Sequence, residues 1–381
     1  MGASGLRVFL VAGEASGDAL GAALMDGLSA LHPGAAFEGV GGPHMAARGL
    51  SSLFPMDELS VMGLAEILPR YLALRRRMLQ TADAVLRSRP DVLVTIDAPA
   101  FGLSVARRVR AARPGARIVH YVAPSVWAWR PGRARRLRGV VDLVLALLPF
   151  EPPLLEAAGV PCRFVGHPAA RVPRADPAPF RARHGLRPPA LCVLPGSRRS
   201  EVSRLAPVLG RAVSLLAERR SDLRVVVPAA PAVHDLVAAA VADWPGDPVV
   251  VPPGDEAEKR AAFAACDVAL AASGTVSLEL ARAGTPMVVA YDVHPLTRLI
   301  LARLLTTDTV TLVNLVSGTR AVPEFLGRDC RPGPIAAAAD ALLGDASEQR
   351  AAFALALDRL GESGEPPGLR AARAVSDVLD G

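Results

Sequence analysis

The chain predicts an α/β protein built from two doubly wound domains in tandem. Three observations predict it. Short, near-continuous apolar runs alternate with helical periods, as in parallel sheets covered on both faces. A stretch rich in Pro and Arg, residues 166–190, interrupts the alternation, which then restarts. The length of 381 residues suits two domains of about 100–200 residues each.

The elements follow in order. Residues 6–12, LRVFLVA, read as a strand that runs through GEASGD into a helix striped by Leu20, Leu24, Leu28 and Leu31. Residues 36–40, 91–97, 117–122 and 142–148 are further strands. Residues 166–190 read as a linker with one short helix. Strands are then expected at 190–195, 223–228, 248–252, 267–272 and 286–291. A helix from Glu201 to Arg219 carries a stripe of Val202, Leu205, Leu209, Ala212, Val213 and Leu216. From about Ile335 the chain is Ala-rich and helical. The expected divisions are 1–170, 171–350 and a helical segment, 351–381, able to pack back on the first domain.

Composition narrows the function. With 51% hydrophobic and 21% charged residues the chain is not disordered. A net charge of +6 favours anionic partners: nucleotides, phosphorylated substrates, an anionic membrane surface or nucleic acid. A biased genome composition accounts for the Arg excess equally well. Cys162, Cys192, Cys266 and Cys330 lie far apart without ligand spacing, which argues for reduced thiols in the cytosol rather than zinc or disulfides. The first residues lack a signal-peptide pattern, Gly5-Leu6 breaks the myristoylation pattern, and no run of 18 apolar residues is present. No aromatic-interleaved or basic-helix motif supports nucleic-acid binding.

In doubly wound folds ligands bind beyond the carboxyl ends of strands, so two domains facing a cleft would line it with both sets of loops. LPGSRRSEV (194–202) is a strand end, a Gly turn and a helix start. Gly196 allows the turn, Ser197 and its neighbours offer N–H groups to a phosphate, and Arg198 adds a charge-assisted contact. The structural alternative is that Ser197 caps the helix while Glu201 and the arginines are solvated. AASGTVSLELARAG (271–284) repeats the design with Ser273, Gly274 and Thr275, and Glu279 could accept hydrogen bonds from ribose hydroxyls or simply complement the helix dipole. Two such turns and an acid suit a nucleoside diphosphate. The absence of GxxxxGK[ST] excludes a P-loop, and GVGG (39–42) lacks a dinucleotide context.

The first half has its own candidates. VAGEASGDALG (11–21) places Glu14 and Asp18 at a helix start, as sugar ligands or as helix-start residues. HYVAPSVWAWRPGRARRLR (120–138) puts Trp127 and Trp129 beside several arginines, a loop for a phosphorylated amphiphile or a packed core with a solvated face. LSVMGLAEILPRYLALRRRMLQ (59–80) is apolar on several sides and basic, as in a segment lying on an anionic bilayer or in a buried helix pair. LVTIDAPAFG (93–102) ends a buried strand in one carboxylate, Asp97.

VAGEASGD, GVGGPHM, VMGLAEIL, IDAPAF, HYVAPSVWAWR, DLVLALLPFE, PCRFVGHP, LPGSR, ASGTVSLE and PMVVAY, in this order and spacing, resemble lipid A disaccharide synthases. The resemblance runs through VPEFL (322–326). It implies a GT-B glycosyltransferase architecture, two Rossmann-like domains around a central cleft. The first would be the acceptor- and membrane-facing domain, the second the UDP-sugar domain. The implied reaction transfers 2,3-diacylglucosamine from UDP-2,3-diacylglucosamine to 2,3-diacylglucosamine 1-phosphate. It forms a β-1,6 disaccharide 1-phosphate and UDP in lipopolysaccharide synthesis, on the inner face of the cytoplasmic membrane.

By position, Asp97 matches the family's candidate base. Arg198, Glu279 and Asn314 match nucleotide-side residues, and Glu14, Ser16 and Asp18 the N-terminal loop. Ser125, Trp127 and Arg130 fall on the acceptor side. Val61, Met62, Leu64, Ile67, Leu68, Leu72, Arg75, Arg76 and Arg77 would meet acyl chains or membrane. Ala100 and Gly102 replace the Asp and Asn of the common IDAPDFN, Ala123 replaces a common Ser, and Val313 the usual Pro. No DxD-like motif stands out, so neither metal nor cofactor is expected. A homodimer, including one formed by domain exchange, is compatible with the family. A UDP-N-acetylglucosamine 2-epimerase-like enzyme and a non-catalytic nucleotide-sugar or lipid-binding module are the alternatives.

Overall fold

β-Branched and Leu-rich runs become strands here because both of their faces are covered. A computed structural model of the chain describes residues 5–59, 64–125, 131–272, 274–292 and 307–381, by backbone alone at 64–70, 131 and 133. It divides into two units, Met1–Pro168 with Ser363–Gly381, and Ala169–Glu362.

In the first unit, β1 (Arg7–Ala12), β2 (Ala36–Val40), β3 (Ser51–Ser52), β4 (Val92–Ile96), β5 (Ile118–Tyr121), β6 (Leu143–Ala146) and β7 (Cys162–Phe164) form one sheet. Their order is β3-β2-β1-β4-β5-β6-β7, with every pairing parallel. The helices are α1 (Ala15–Leu31), α2 (Pro43–Ala46), α3 (Leu64–Ser88), α4 (Pro99–Ala112) and α5 (Glu151–Glu156). Val85, Val105 and Val109 from α3 and α4 pack on one face with Phe9, Leu93 and Ile118. Leu24 and Leu28 of α1 pack on the other with Leu10, Val94 and Val119. All five residues of β4 are buried, which explains its unbroken apolar run.

In the second unit, β8 (Ala190–Leu194), β9 (Arg224–Pro228), β10 (Val249–Val251), β11 (Val268–Ala271), β12 (Met287–Tyr291) and β13 (Glu324–Leu326) run in the order β10-β9-β8-β11-β12-β13, again all parallel. Its first helices are α6 (Ala178–His184), α7 (Arg199–Ala217), α8 (His234–Val241), α9 (Glu256–Ala265) and α10 (Val276–Ala283). The stripe expected on α7 is buried in full. Three strands escape the sequence reading: β3, β7 and β13, each an edge strand of two or three residues. Their runs, SS, CRF and EFL, are short and include polar or charged residues, whereas the equally short edge strand β10 is VVV and stands out by composition.

The expected third segment, 351–381, is divided in the structure. Helix Ser347–Arg359 belongs to the second unit, packing on α10 and on helix Leu312–Ser317. The chain changes unit between Glu362 and Ser363, and helix Pro367–Asp380 packs on α1 in the first unit. Its Ala371, Ala372, Ala374 and Val375 complete the core against Leu24 and Leu28. Gly368 permits this contact, because a Cβ there would stand 2.4 Å from the Ala23 carbonyl oxygen. Among the described residues no helix is long and apolar enough to cross a membrane.

Beneath the β4–β5 tips lies a fully buried His120, whose Nδ1 shares a hydrogen bond with Thr95 Oγ1 at 2.7 Å. Burial pushes its pKa down to about 4, only partly opposed by Thr95. A folded-state value below the unfolded value of about 6.5 means that the unfolded chain takes up the proton first as pH falls. His120 therefore supports folding fully above about pH 6.5, and that support is lost as pH falls toward 4. Between pH 7 and pH 4.5 the unfolding free energy should fall more steeply for the wild type than for His120→Gln, by up to about 1.4 kcal/mol per pH unit, and thermal melts should show Tm falling more steeply accordingly. Parallel slopes would count against this assignment.

Candidate active site

Strand order reverses between β1 and β4 in the first sheet and between β8 and β11 in the second. The crevice beyond the carboxyl ends of such a strand pair is where doubly wound sheets hold ligands. Topology alone thus brings the β1–α1 loop to the β4–α4 loop, and the β8–α7 loop to the β11–α10 loop.

At the first crevice, Ala12 pairs with Ile96, and the next residues on each strand are Gly13 and Asp97. Asp97 is half-buried. Its Oδ2 accepts the Ser16 hydroxyl at 3.1 Å, and its Oδ1 accepts the Ala98 N–H at 2.9 Å. The Asp97 N–H donates to the Tyr121 carbonyl at 2.9 Å, which ties the turn to β5. Gly13 makes the approach possible, since a Cβ there would lie 2.7 Å from Ala98 Cβ.

The backbone at these tips is strained. Asp97 and Ala98 have φ of 52° and 39°, and Val122, just past β5, has 79°. Non-Gly residues in this region cost about 1–3 kcal/mol each and collect at functional sites. Ser125 is exposed three residues beyond Val122. Glu14 is half-buried at the N-cap position of α1. Gly102 has a packing role: a Cβ there would stand 3.0 Å from Thr95 Cβ, so a larger residue would require Thr95 or the backbone of α4 to shift by a few tenths of an ångström.

Asp18 is a correction to the sequence reading. It is 1% exposed, and its carboxylate accepts the N–H groups of Gly42, His44 and Met45 at 2.8, 2.8 and 3.0 Å. It caps α2 and the loop before it, so it is not presented to a sugar. Asn314 is a second correction. It is 1% exposed, donates to the Val322 carbonyl at 2.9 Å and accepts the Val322 N–H at 3.0 Å. Both ends of its amide staple its own loop, leaving none directed at a nucleotide.

At the second crevice, Leu194 pairs with Ala271. Gly196 adopts φ of 123°, and Ser197 and Arg198 are exposed. Glu201, not Ser197, caps this helix start. Its Oε2 accepts the N–H groups of Ser197 and Arg198 at 3.1 and 3.3 Å, and its Oε1 accepts the Arg198 guanidinium at 3.3 Å. A Glu at the third helical position is a legible capping signal. At the other turn, Gly274 and Thr275 are exposed. The N–H groups of these two residues have no acceptor among the described residues.

Glu279 pairs with Lys259 on α9 at 2.9 Å, and Lys259 also meets Glu256 at 2.8 Å. Burial lowers the Lys259 pKa, and the two carboxylates outweigh it and raise the value. Sequence reading missed Lys259, because a pairing across two helices leaves no local pattern. Glu279 also opens onto a cavity of about 220 Å³ with Val172, Pro173, Arg260, Phe263 and Arg282 on its wall.

On α3, Leu72 and Tyr71 are 75% and 59% exposed, and Arg75 and Arg76 are exposed. Arg77 is a third correction: it pairs with Glu58 at 2.6 Å and stacks over Phe54 at 4.6 Å, so it is folded into the unit. Leu64, Ile67 and Leu68 lie in the helix, with backbone alone described. Val61, Met62, Trp127, Arg130 and Ser273 lie outside the described residues.

Two parallel α/β units, each with polar loops at its switch point, define the GT-B class of fold. The likeness extends to solved structures of UDP-sugar enzymes. The UDP-GlcNAc 2-epimerase of Neisseria meningitidis bound to UDP-GlcNAc matches with a TM-score of 0.65 and 12% identity, covering 99% of this chain and 100% of that one. The Rickettsia bellii UDP-N-acetylglucosamine 2-epimerase matches at 0.66 and 11%, covering 99% and 97%. At such identity the likeness is one of fold. Sequence separates the family: a model of lipid-A-disaccharide synthetases matches residues 8–364. The lipid-A-disaccharide synthase of Ruegeria pomeroyi is 59% identical over 99% of this chain and 96% of that protein. That of Rhodospirillum centenum is 50% identical over 98% and 95%. The chain belongs to the lipid-A-disaccharide synthase family.

Proposed function

We propose that this chain transfers 2,3-diacylglucosamine from UDP-2,3-diacylglucosamine to the 6-hydroxyl of 2,3-diacylglucosamine 1-phosphate. The products are the β-1,6 disaccharide 1-phosphate and UDP. Beyond family membership, the observation that carries the reading is Asp97. It is a carboxylate oriented by Ser16 at the first switch crevice, in a turn that costs backbone strain. Inversion needs a single in-line displacement. The bond from the acceptor O6 to the donor C1 forms as the C1–phosphate oxygen bond breaks. The hydroxyl proton goes to Asp97 as general base. Charge growing on UDP is taken up by Arg198 and the N–H groups of the 196–198 and 274–275 turns. Glu279, fixed by Lys259, is the acceptor for the ribose hydroxyls.

The test is incubation with UDP-2,3-diacylglucosamine, with and without acceptor, followed by assay of UDP and disaccharide. UDP release that requires acceptor is the expected result. An epimerised UDP-sugar, or no turnover, would overturn the reading.

The exposed Leu72, Tyr71, Arg75 and Arg76 support peripheral binding to an anionic membrane on the cytoplasmic side, where acyl chains would be presented. Each basic residue near such a surface contributes about 1 kcal/mol. Reversing Arg75 and Arg76 to Glu should lower binding to phosphatidylglycerol vesicles by at least about tenfold. Unchanged partitioning would remove the membrane assignment.

A further inference from the structure

We infer that the Glu201 carboxylate is a built-in occupant of the β8–α7 turn, which the donor's diphosphate displaces on binding. This rests on the nucleotide-sugar reading of the site. The two turns at the second switch crevice differ in one respect. At Gly274 an added Cβ would meet nothing within 4 Å among the described residues, which leave this turn open. At Gly196 an added Cβ would lie 2.6 Å from Glu201 Cβ and 2.8 Å from its Oε2. The space that a Gly leaves for a close-approaching phosphate is therefore filled by the chain's own carboxylate.

Glu201 reproduces the contacts expected of a phosphate: two successive N–H groups and the Arg198 guanidinium. It makes them poorly. Its three bonds are 3.1 to 3.3 Å long, against about 2.7–2.9 Å for well-formed charge-assisted bonds. A diphosphate carries more charge and more acceptor oxygens, so it forms the stronger set. It cannot share the turn, because two anions a few ångströms apart in a partly desolvated site repel strongly. The Glu201 charge is felt across the crevice as well. Burial raises the Tyr291 pKa, Glu201 raises it further, and Arg198 and Arg204 oppose this. The free turn is thus pre-shaped and neutralised, at some cost in affinity for the ligand.

Calorimetric titration with UDP, at fixed ionic strength, separates the possibilities, with uridine as a phosphate-free control. Glu201→Gln keeps the shape and removes the charge. It should bind UDP about three- to tenfold more tightly than the wild type, the scale of one partly buried charge at a helix N-terminus. Uridine affinity should not change. Glu201→Asp, whose carboxylate is too short to reach the turn, should also tighten UDP binding, and it decides the question if the Gln variant does not fold. Equal or weaker UDP binding by these variants, beside a wild type that binds UDP, would overturn the inference. So would a parallel change for uridine, which would mark a purely structural cap. A wild type that fails to bind UDP would instead overturn the nucleotide-sugar reading.

Discussion

Asp97→Ala is expected to lower disaccharide formation by about 100- to 10,000-fold, the range for losing a general base, while UDP binds as in the wild type. The two readouts should separate because the carboxylate belongs to the first unit and the phosphate turns to the second. Ala98 beside it already adopts φ of 39°, so alanine at 97 is no more strained than its neighbour and the turn should persist. Asp97 also stands without a local substitute, since residues 98–102 (Ala, Pro, Ala, Phe and Gly) carry no ionisable side chain. Turnover near the wild-type rate would remove Asp97 as base. Loss of UDP binding would mean that the variant had damaged more than proton transfer.

Asp18→Ala should act on stability. Removing a 1% exposed carboxylate that accepts three backbone N–H groups leaves those donors buried and unpaired. The penalty is about 3 kcal/mol or more. For a unit of this size that corresponds to a fall in Tm of roughly 6–12 °C. Asp18→Asn, which keeps an acceptor oxygen, should fall between alanine and the wild type. A full-stability Asp18→Ala enzyme with a raised KM for acceptor would return Asp18 to the ligand set.

The contrast between these two aspartates shows how far residue pattern reaches. Glu14, Asp18 and Asp97 are all acids at the start of a helix that follows a strand, and their local sequence assigns them similar work. Their partners are what separate them. Asp18 lies one helical turn inside α1, on its buried side, where Gly42, His44 and Met45 arrive from a loop more than twenty residues away. Asp97 lies past the end of β4, where the reversal of strand order leaves a crevice. The same distinction removes Asn314, whose partners come from its own loop, and Arg77, whose partners Glu58 and Phe54 precede its helix.

Periodicity and runs of apolar residues determined the two-domain α/β architecture, because burial on two sheet faces imposes a pattern on each strand and helix by itself. Motif order determined the family for a related reason, since turns at strand tips need particular residues at particular spacings. The tertiary structure alone decided where the chain returns to its first unit at Ser363, that β3, β7 and β13 close sheet edges, and which polar side chains are already satisfied. It also decided that Glu201 fills the turn at Gly196 while no described residue fills the turn at Gly274. These depend on pairings between distant segments, and a hydrogen bond already made within the fold leaves no mark on the residue that makes it.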